Sequence, residues 1–320
     1  MLYNLQLLRA FSALNVVLFH IIATAQSYGR KTDLILFMEH WGANGVHIFF
    51  VISGFVMLFT QLVKKRSVRD FLTQRAIRII PLYWLLTLLI VAIYIFMPFV
   101  FRTMVIDAKS LLASLGFMAG AITGKNPIIG VGWTLELEMF FYLVFGLSLW
   151  FRSWLATLFA SSIILLSVAL FISNFILLEF IAGAFIALLY CRYEFKRFGA
   201  LAFLLGVLLL SLSLLDSVQS LAVSRVVLWG IPSALIVYGA ISVPQLKSSL
   251  GKLLGDASYS IYLIQVFSIP LFYKFIALIN IKINSDFLAI SCLLATAIVG
   301  VAIYLFVEKP MIHFLKRRIM

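Results

Sequence analysis

The feature that most limits how this chain can fold is a series of ten apolar stretches, each about 20 residues long. A helix needs about that length to cross the hydrocarbon core of a bilayer, because each residue adds about 1.5 Å of rise. The stretches lie at 5-25, 43-62, 78-98, 131-151, 154-173, 174-192, 199-216, 221-241, 256-279 and 286-307. The sequence therefore predicts an all-α polytopic membrane protein with about ten transmembrane helices.

The composition leaves little material for a soluble domain. Of the 320 residues, 64% are apolar and 12% are charged, and the mean hydropathy is +1.12. The apolar segment 108-122 is too short for a span, so we interpret it as an interfacial or re-entrant helix. No internal repeat or soluble extension is visible in the sequence. We therefore expect a single transmembrane domain over residues 1-320.

The orientation of the spans follows from the distribution of the 25 lysines and arginines. If the N-terminus is cytoplasmic, most of these residues fall in inner loops, as the positive-inside rule requires. An even number of spans then places both termini in the cytoplasm. The net charge of +13 is accordingly interpreted as a topology signal, with attraction to anionic membrane lipid as a second interpretation. No nucleic-acid partner is expected.

The first span carries two ionisable residues, Arg9 and His20, in an otherwise apolar helix. Eleven residues at about 100° each bring the two side chains to nearly the same face, with roughly 16 Å of rise between them. An ionisable residue within a membrane span is costly and is a functional candidate by default. The pair is therefore predicted to act together.

The inner loop before the third span is the most basic part of the chain. We assign its Lys64, Lys65 and Arg66 to anionic headgroups. Arg75 and Arg78 differ, because they are three residues apart on one helical face and lead directly into an apolar segment. They are predicted to point into the helix bundle, at the depth of Arg9, where arginines can bind phosphates with two hydrogen bonds each.

Two carboxylates, Glu136 and Glu138, stand about one turn inside the outer end of the fourth span. They lie at about the depth of His20 and of His47, which enters the membrane from outside. Residues two apart on a helix diverge by about 200°, so only one of the two glutamates can face His20 well. A carboxylate orients an imidazole and favours its protonated form, which suggests acid/base chemistry. A structural ion pair with an intramembrane arginine is the alternative.

The ninth span begins with a run of hydroxyl side chains that would be wasted facing lipid. They belong to Ser258, Tyr259, Ser260 and Tyr262. Asp256 just before them is expected to cap that helix. Elsewhere we expect Glu179 to pair with Arg225, and we expect Glu308 near the inner boundary to partner Arg75 or Arg78.

Sorted by predicted depth, the polar residues form two clusters. The inner cluster contains Arg9, Arg75, Arg78, Asp256 and Glu308, and the outer cluster contains His20, His47, Glu136 and Glu138. Such a site suits a long ligand with phosphates at one end and a reactive group at the other. A proton-coupled transporter or flippase of a glycan or small solute is the alternative function, since it too places His and Glu at depth. The two cysteines show no metal-binding spacing, and no metal is expected.

Six sequence motifs in order give the chain a resemblance over essentially its whole length. They are Arg9 and His20 with ten residues between them, FFVISGF at 49-55, RAIRIIPLYW at 75-84, WTLELEMFFY at 133-142, DASYSIYL at 256-263 and the final Glu308-Lys309-Pro310. With these motifs the chain resembles the acyltransferase-3 family of bacterial membrane proteins. The similarity is greatest to its short, membrane-only members that modify exopolysaccharide or lipopolysaccharide sugars.

The resemblance implies roles for individual residues. His20 would be the general base and Glu138, rather than Glu136, its matching carboxylate. The family's basic motif is associated with acyl-coenzyme A, which assigns donor binding to Arg75 and Arg78, together with Arg9. From their predicted positions in the bundle, rather than from the resemblance alone, substrate-binding or supporting roles are assigned to His47, Trp133, Glu136, Ser258, Tyr259 and Tyr262.

Three residues depart from the family pattern. Gln74 stands where a basic residue often precedes Arg75, His47 where an aspartate is common, and Gln265 where a histidine often follows the SYSIY run. His47 and Gln265 therefore inherit no family role. We expect no hydrolase-like domain after the last span, and we therefore expect acceptor handling within the bundle or in a partner protein.

The resemblance implies a multi-pass enzyme of the bacterial inner (cytoplasmic) membrane, most simply an O-acetyltransferase. Acetyl-coenzyme A would be a donor substrate rather than a bound cofactor. The acceptor would be a hydroxyl of a lipid-linked or nascent polysaccharide, and polysaccharide-assembly proteins are expected as further partners. His20 would take the hydroxyl proton as the oxygen attacks the thioester, a role suited to an imidazole that titrates near neutrality.

Overall fold

The computed structural model describes residues 2–30, 38, 41–101, 105–192, 195–215, 218, 224–279 and 283–320. Within these ranges the chain is built of helices and contains no β-strand. The α-helices are α1 (Tyr3–Ser27), α2 (Asn44–Val63), α3 (Val68–Phe96), α4 (Ala108–Leu115), α5 (Ala119–Thr123), α6 (Trp133–Ser148), α7 (Trp154–Phe171), α8 (Leu178–Arg192), α9 (Gly199–Leu212), α10 (Ile231–Ser242), α11 (Ser249–Asp256), α12 (Ser258–Ile279), α13 (Ser285–Ile303) and α14 (Lys309–Ile319).

Eight helical segments of the described chain are long and apolar enough to cross a membrane. They are Tyr3–Ser27, Trp41–Val63, Val68–Phe96, Gly130–Phe151, Trp154–Phe171, Phe175–Arg192, Ser258–Ile279 and Ser285–Ile319. Two shorter apolar helices, Gly199–Leu212 and Val226–Ser242, match the predicted spans 199-216 and 221-241, parts of which lie outside the described residues. The predicted class, an all-α polytopic membrane protein, is confirmed. The orientation of the termini stays a prediction.

The segment predicted to be interfacial or re-entrant forms the short helices α4 and α5, of eight and five residues. Asp107 caps α4: its Oδ1 accepts the Ser110 N–H at 2.7 Å, and the Ser110 hydroxyl accepts the Asp107 N–H at 3.0 Å. Hydrogen bonds from Ser110 lower the pKa of the Asp107 carboxyl. Both helices are too short to cross a bilayer.

Helix α1 is the centre of the bundle, because it packs against α2, α10, α11, α12 and α13. Asn4 fixes its start to the connection between α10 and α11. Its side-chain amide donates to the carbonyl oxygens of Ala240 at 2.8 Å and Pro244 at 3.1 Å, and its oxygen accepts the Leu246 N–H at 2.9 Å. A central helix fixed in this way can hold Arg9 and His20 in defined positions.

The crossing of α2 and α8 depends on two glycines. A Cβ atom on Gly54 would overlap the Phe180 backbone, and one on Gly183 would overlap the Val51 backbone. Small residues allow helix backbones to approach closely in membranes, where little hydrophobic force acts between helices. Gly54 and Gly183 therefore permit the close approach of α2 and α8.

Asp256 does not cap α12, contrary to the sequence-based expectation. It is the last residue of α11, and its Oδ2 accepts from Lys252 Nζ at 2.6 Å, one turn earlier in the same helix. This hydrogen bond and the aspartate charge raise the pKa of the Lys252 ammonium. A short helix before α12 was not foreseen, and it supplies a partner for Asp256 within one turn.

Candidate active site

A cavity of about 170 Å³ lies where α1, α2, α3, α6 and α12 meet. Its polar lining residues are Arg9, Ser53, Arg75, Arg78, Thr134, Glu138, Tyr142, Ser258, Tyr259 and Tyr262. On α2 the lining runs from Val46 to Met57, which is about 16 Å of helix rise. The cavity is therefore elongated along the bundle and walled by side chains from five helices.

The charges of this cavity are mostly positive. Arg9, Arg75 and Arg78 bring three guanidinium groups, whereas Glu138 is the one carboxylate among the described lining residues. Arg9 Nη2 donates to Ser258 Oγ at 3.0 Å. Nε of Arg75 is buried without a described partner. Such an excess of guanidinium donors suits an anionic ligand that accepts several hydrogen bonds.

Glu138 is held in the cavity by two hydroxyl groups. Its Oε1 accepts from Ser53 Oγ on α2 at 2.7 Å and from the hydroxyl of Tyr142. Tyr142 lies four residues further along α6, hence on the same face of the helix. Oε2 of Glu138 makes no hydrogen bond to a described residue, which leaves it available to a bound molecule.

The hydroxyl groups at the start of α12 face into the bundle, as expected from the sequence. The Tyr259 hydroxyl donates to the Ile79 carbonyl at 2.7 Å, which links α12 to α3. The Tyr262 hydroxyl lies 2.8 Å from both the Val131 carbonyl and Thr134 Oγ1, at the start of α6. These contacts set the spacing of the helices that wall the cavity.

Glu308 ends a π-helical turn, Tyr304–Glu308, between α13 and α14. Its Oε2 accepts from Ser260 Oγ at 2.5 Å, and its side chain is buried. The predicted partnership with Arg75 or Arg78 is wrong as a direct contact, because neither forms an ion pair with Glu308. The extra residue of a π turn rotates the side chains that follow, a rotation that helical periodicity does not predict.

Glu136 and Glu138 point to different neighbours, as positions two apart on a helix must. The Glu136 carboxylate accepts the backbone N–H groups of Ala119 at 2.8 Å and Gly120 at 3.0 Å, at the start of α5. It does not line the cavity. Trp133, one turn before, is 36% exposed and is also outside the lining. Glu136 therefore links α6 to α5, and Trp133 is the first residue of α6.

His20 lies beyond one end of the cavity rather than in its lining. Residues 12 to 19 of α1 pack against the start of α2: a Cβ on Gly45 would meet Ser12 and Val16, and one on Gly42 would meet Phe19. His20 follows directly, with its ring 4.9 Å from the Phe19 ring between centroids. No hydrogen bond joins it to another described residue. It shares a helical face with Arg9, which does line the cavity.

His47 is buried in a separate polar cluster. Its Nδ1 contacts Glu179 Oε1, and its ring lies edge-on to Trp229 with centroids 5.4 Å apart. The expected ion pair of Glu179 with Arg225 is therefore wrong, and the Arg225 guanidinium lies 5.6 Å from the centroid of the Trp229 ring. The predicted outer cluster does not form as a unit.

Three residues near the arginines were not selected from the sequence. Ser53 and Tyr142 hold Glu138, and Tyr142 had a usable signal in its spacing of four residues from that carboxylate. Arg66, assigned to headgroups, has a buried Nη1 without a described partner. Within the described ranges, no group of three or more His, Cys, Asp or Glu side chains is arranged to hold a metal ion.

Comparison with known proteins adds a family and a relative. A family model described as an acyltransferase domain, that of the acyltransferase-3 family, matches residues 2–307. The chain is also similar to the exopolysaccharide production protein ExoZ of Rhizobium meliloti (strain 1021). The two are 33% identical over 297 residues, which cover 85% of this chain and 90% of that protein. No solved structure matches the chain significantly.

Proposed function

This chain belongs to the acyltransferase-3 family, and from that premise we propose that it moves an acyl group from an acyl-coenzyme A to a sugar hydroxyl of an exported polysaccharide. The observation that carries the proposal is the convergence of Arg9, Arg75 and Arg78 on one elongated cavity with Glu138. Family membership favours an enzyme over the transporter alternative. The similarity to an exopolysaccharide production protein supports exopolysaccharide as the acceptor class.

The three arginines would bind the phosphates of the donor. Coenzyme A carries its phosphates at one end and its thioester at the other end of a flexible arm. With the phosphates at Arg75 and Arg78, the arm would run along α2 toward Val46. The thioester would then approach His20, which lies on the Arg9 face of α1 beyond that end of the cavity.

His20 would act as the general base. Its imidazole would take the proton of the sugar hydroxyl while the hydroxyl oxygen bonds to the thioester carbonyl carbon. The carbon–sulfur bond then breaks, and the coenzyme A thiolate leaves and takes up a proton. In this scheme Glu138 does not contact His20. Its unpartnered Oε2 would accept a hydrogen bond from bound substrate, while Ser53 and Tyr142 hold Oε1.

We further propose acetyl as the acyl group, with acetyl-coenzyme A as donor and a lipid-linked or nascent polysaccharide as acceptor. Coenzyme A thioesters are cytoplasmic, so the arginine end of the cavity would face the cytoplasm in an inner membrane. The lipopolysaccharide sugars of related enzymes are the second acceptor class. Polysaccharide-assembly proteins would bring the acceptor to the outer end of α1.

The test is the mass of the surface glycan. A host lacking the gene, complemented with wild-type protein or with empty vector, would be compared by mass spectrometry of its exported polysaccharide. We expect a mass increase of one acetyl group per modified sugar with the wild type alone. Identical glycans from both strains, at normal protein level, would contradict the proposed activity.

A further inference from the structure

A second cavity, of about 280 Å³, opens between the ends of α2, α6, α7 and α8. Three cations from different parts of the chain line it. Lys65 follows α2, Arg152 lies between α6 and α7, and Arg192 ends α8. No aspartate or glutamate is among its described lining residues. The cavity is therefore lined by like charges that the fold itself brings together.

These three cations lack a counter-ion in the described chain. The two contacts there between a basic and an acidic side chain join His47 to Glu179 and Lys252 to Asp256, at other places. Arg192 instead places its guanidinium 4.9 Å from the centroid of the Trp154 ring, which also lines the cavity. Such a pairing orients the guanidinium without neutralising it. An anion in the cavity would relieve the repulsion among the three charges.

The backbone beside the cavity adds to the positive potential. Helix α7 begins at Trp154 and is 18 residues long, and Ser153 caps it by accepting the Ala156 N–H at 3.5 Å. The free N–H groups of a helix start favour an anion, and phosphate is the usual ligand of such a combination. Arg152 has φ of 53°, in the left-handed region that residues other than glycine rarely adopt.

The surroundings of the cavity are those of a lipid-facing surface. Trp150 and Phe151, next to Arg152, are 80% and 59% exposed. Exposed aromatic residues at the end of a membrane span lie at headgroup depth. Leu62 and Leu149 supply apolar wall. A ligand that fits this site combines a phosphate with an apolar tail.

We propose that this cavity binds the phosphate of an anionic phospholipid headgroup. Basic pockets between the ends of membrane helices are suited to such headgroups. The site is separate from the acyl-donor cavity and does not depend on the proposed transfer reaction. Bound lipid would join the ends of four helices that the described chain does not otherwise join by an ion pair.

The proposal can be tested by the thermal stability of purified full-length protein in detergent. Dioleoyl-phosphatidylglycerol, dioleoyl-phosphatidylcholine, inorganic phosphate and coenzyme A would be titrated separately. The variant Arg152→Gln/Arg192→Gln would be compared with the control Lys247→Gln/Lys316→Gln, which removes two exposed cations elsewhere. Arg192→Lys, which keeps the charge, gives a milder second variant.

We expect phosphatidylglycerol to raise Tm of the wild type and of the control, and phosphatidylcholine and inorganic phosphate to leave it nearly unchanged. Coenzyme A, which the proposed function places in the donor cavity, should raise Tm equally in the wild type and in Arg152→Gln/Arg192→Gln. In the cavity variant the apparent affinity for phosphatidylglycerol should fall by roughly tenfold or more, because hydrogen bonds to a charged group are lost. Arg192→Lys should lose less. Equal affinity in the cavity variant and the control would overturn the proposal. So would saturation of the site by inorganic phosphate or coenzyme A in place of lipid.

Discussion

Glu138 and Glu136 stand two positions apart on α6, yet their carboxylates have different partners and therefore different expected roles. Glu138 lies in the arginine-lined cavity with Ser53 and Tyr142, whereas Glu136 binds backbone N–H groups of α5. Glu138→Gln should reduce acyl transfer strongly, because it removes the one carboxylate among the described residues that line the cavity. Glu136→Gln should reduce it little, because an amide oxygen can still accept one of the two N–H groups. Glycan acetylation at equal protein level ranks the pair, and a greater loss in Glu136→Gln would exclude the assignment.

Substitution of His20 should affect catalysis without affecting the stability of the fold. It makes no hydrogen bond to a described residue, so its removal should cost little folding free energy. His20→Ala should lower acyl transfer by about 10²- to 10⁴-fold, the usual contribution of general-base catalysis. Transfer would be followed with radiolabelled acetyl-coenzyme A, and His313→Ala, at an exposed histidine, is the control. Near-normal transfer by a folded His20→Ala protein would end its role as base.

Arg78 tests the donor site directly. If Arg78 binds a phosphate of coenzyme A, Arg78→Ala should weaken binding by about 1.5 to 3 kcal/mol, the usual value for a hydrogen bond to a charged group. Lysine should restore part of the affinity, since it keeps the charge but not the planar fork. Isothermal titration with acetyl-coenzyme A measures this, with Arg69→Ala, an exposed arginine of the same helix, as control. Equal affinities of Arg78→Ala and wild type would remove Arg78 from the site.

The sequence predicted that Arg75 and Arg78 point into the bundle, but it did not predict the surroundings of the histidines. Arg75 and Arg78 could be selected because their spacing and the apolar segment after them leave one inward face. The neighbours of His47 could not be predicted. The position of a residue along its span gives its depth in the membrane, but it does not show which helices its side chain faces. Its partner Glu179 comes from α8, 132 residues away in sequence, and no local pattern relates the two.

Among the helices, α2 and α8 provide the clearest test of packing. Their backbones touch at Gly54 and Gly183, where a Cβ atom has no room. Gly54→Ala should destabilise the protein by about 1 to 3 kcal/mol, the usual cost of overpacking. Gly130→Ala is the matched control, since nothing lies within 4 Å of a Cβ there. Thermal unfolding in detergent measures the difference, and similar Tm values for both variants would contradict the close approach.

Helix existence was readable from the sequence, but local irregularities were not. The apolar runs predicted each long helix, because about 20 apolar residues is the length that a helix needs to cross the hydrocarbon core of a bilayer. The π-helical turns Val226–Gly230 and Tyr304–Glu308 have no such signal. They insert a residue into a helix, and Trp229 and Glu308 reach their partners from these two turns. Tertiary packing, rather than local preference, selects them.

For the whole molecule, helices can be counted from hydropathy, whereas the order in which they pack cannot. The central position of α1 depends on contacts with helices as far away in sequence as α13. Even so, the structure allows one check on the predicted orientation of the spans. With a cytoplasmic N-terminus, the predicted spans place Lys65, Arg152 and Arg192 on the inner side, and the structure brings all three to one cavity. The ends of α2, α6, α7 and α8 therefore lie on the same side.

Which side that is can be decided with the chain's own cysteines. Cys191 is exposed near the end of α8, next to the cavity residue Arg192, and Cys292 is buried in α13. If that side is cytoplasmic, a membrane-impermeant maleimide should label Cys191 in inside-out vesicles but not in intact spheroplasts. Cys191→Ser should abolish the label, because burial protects the remaining thiol. Labelling of spheroplasts would reverse the orientation, and the arginines of the donor cavity would then face away from cytoplasmic coenzyme A.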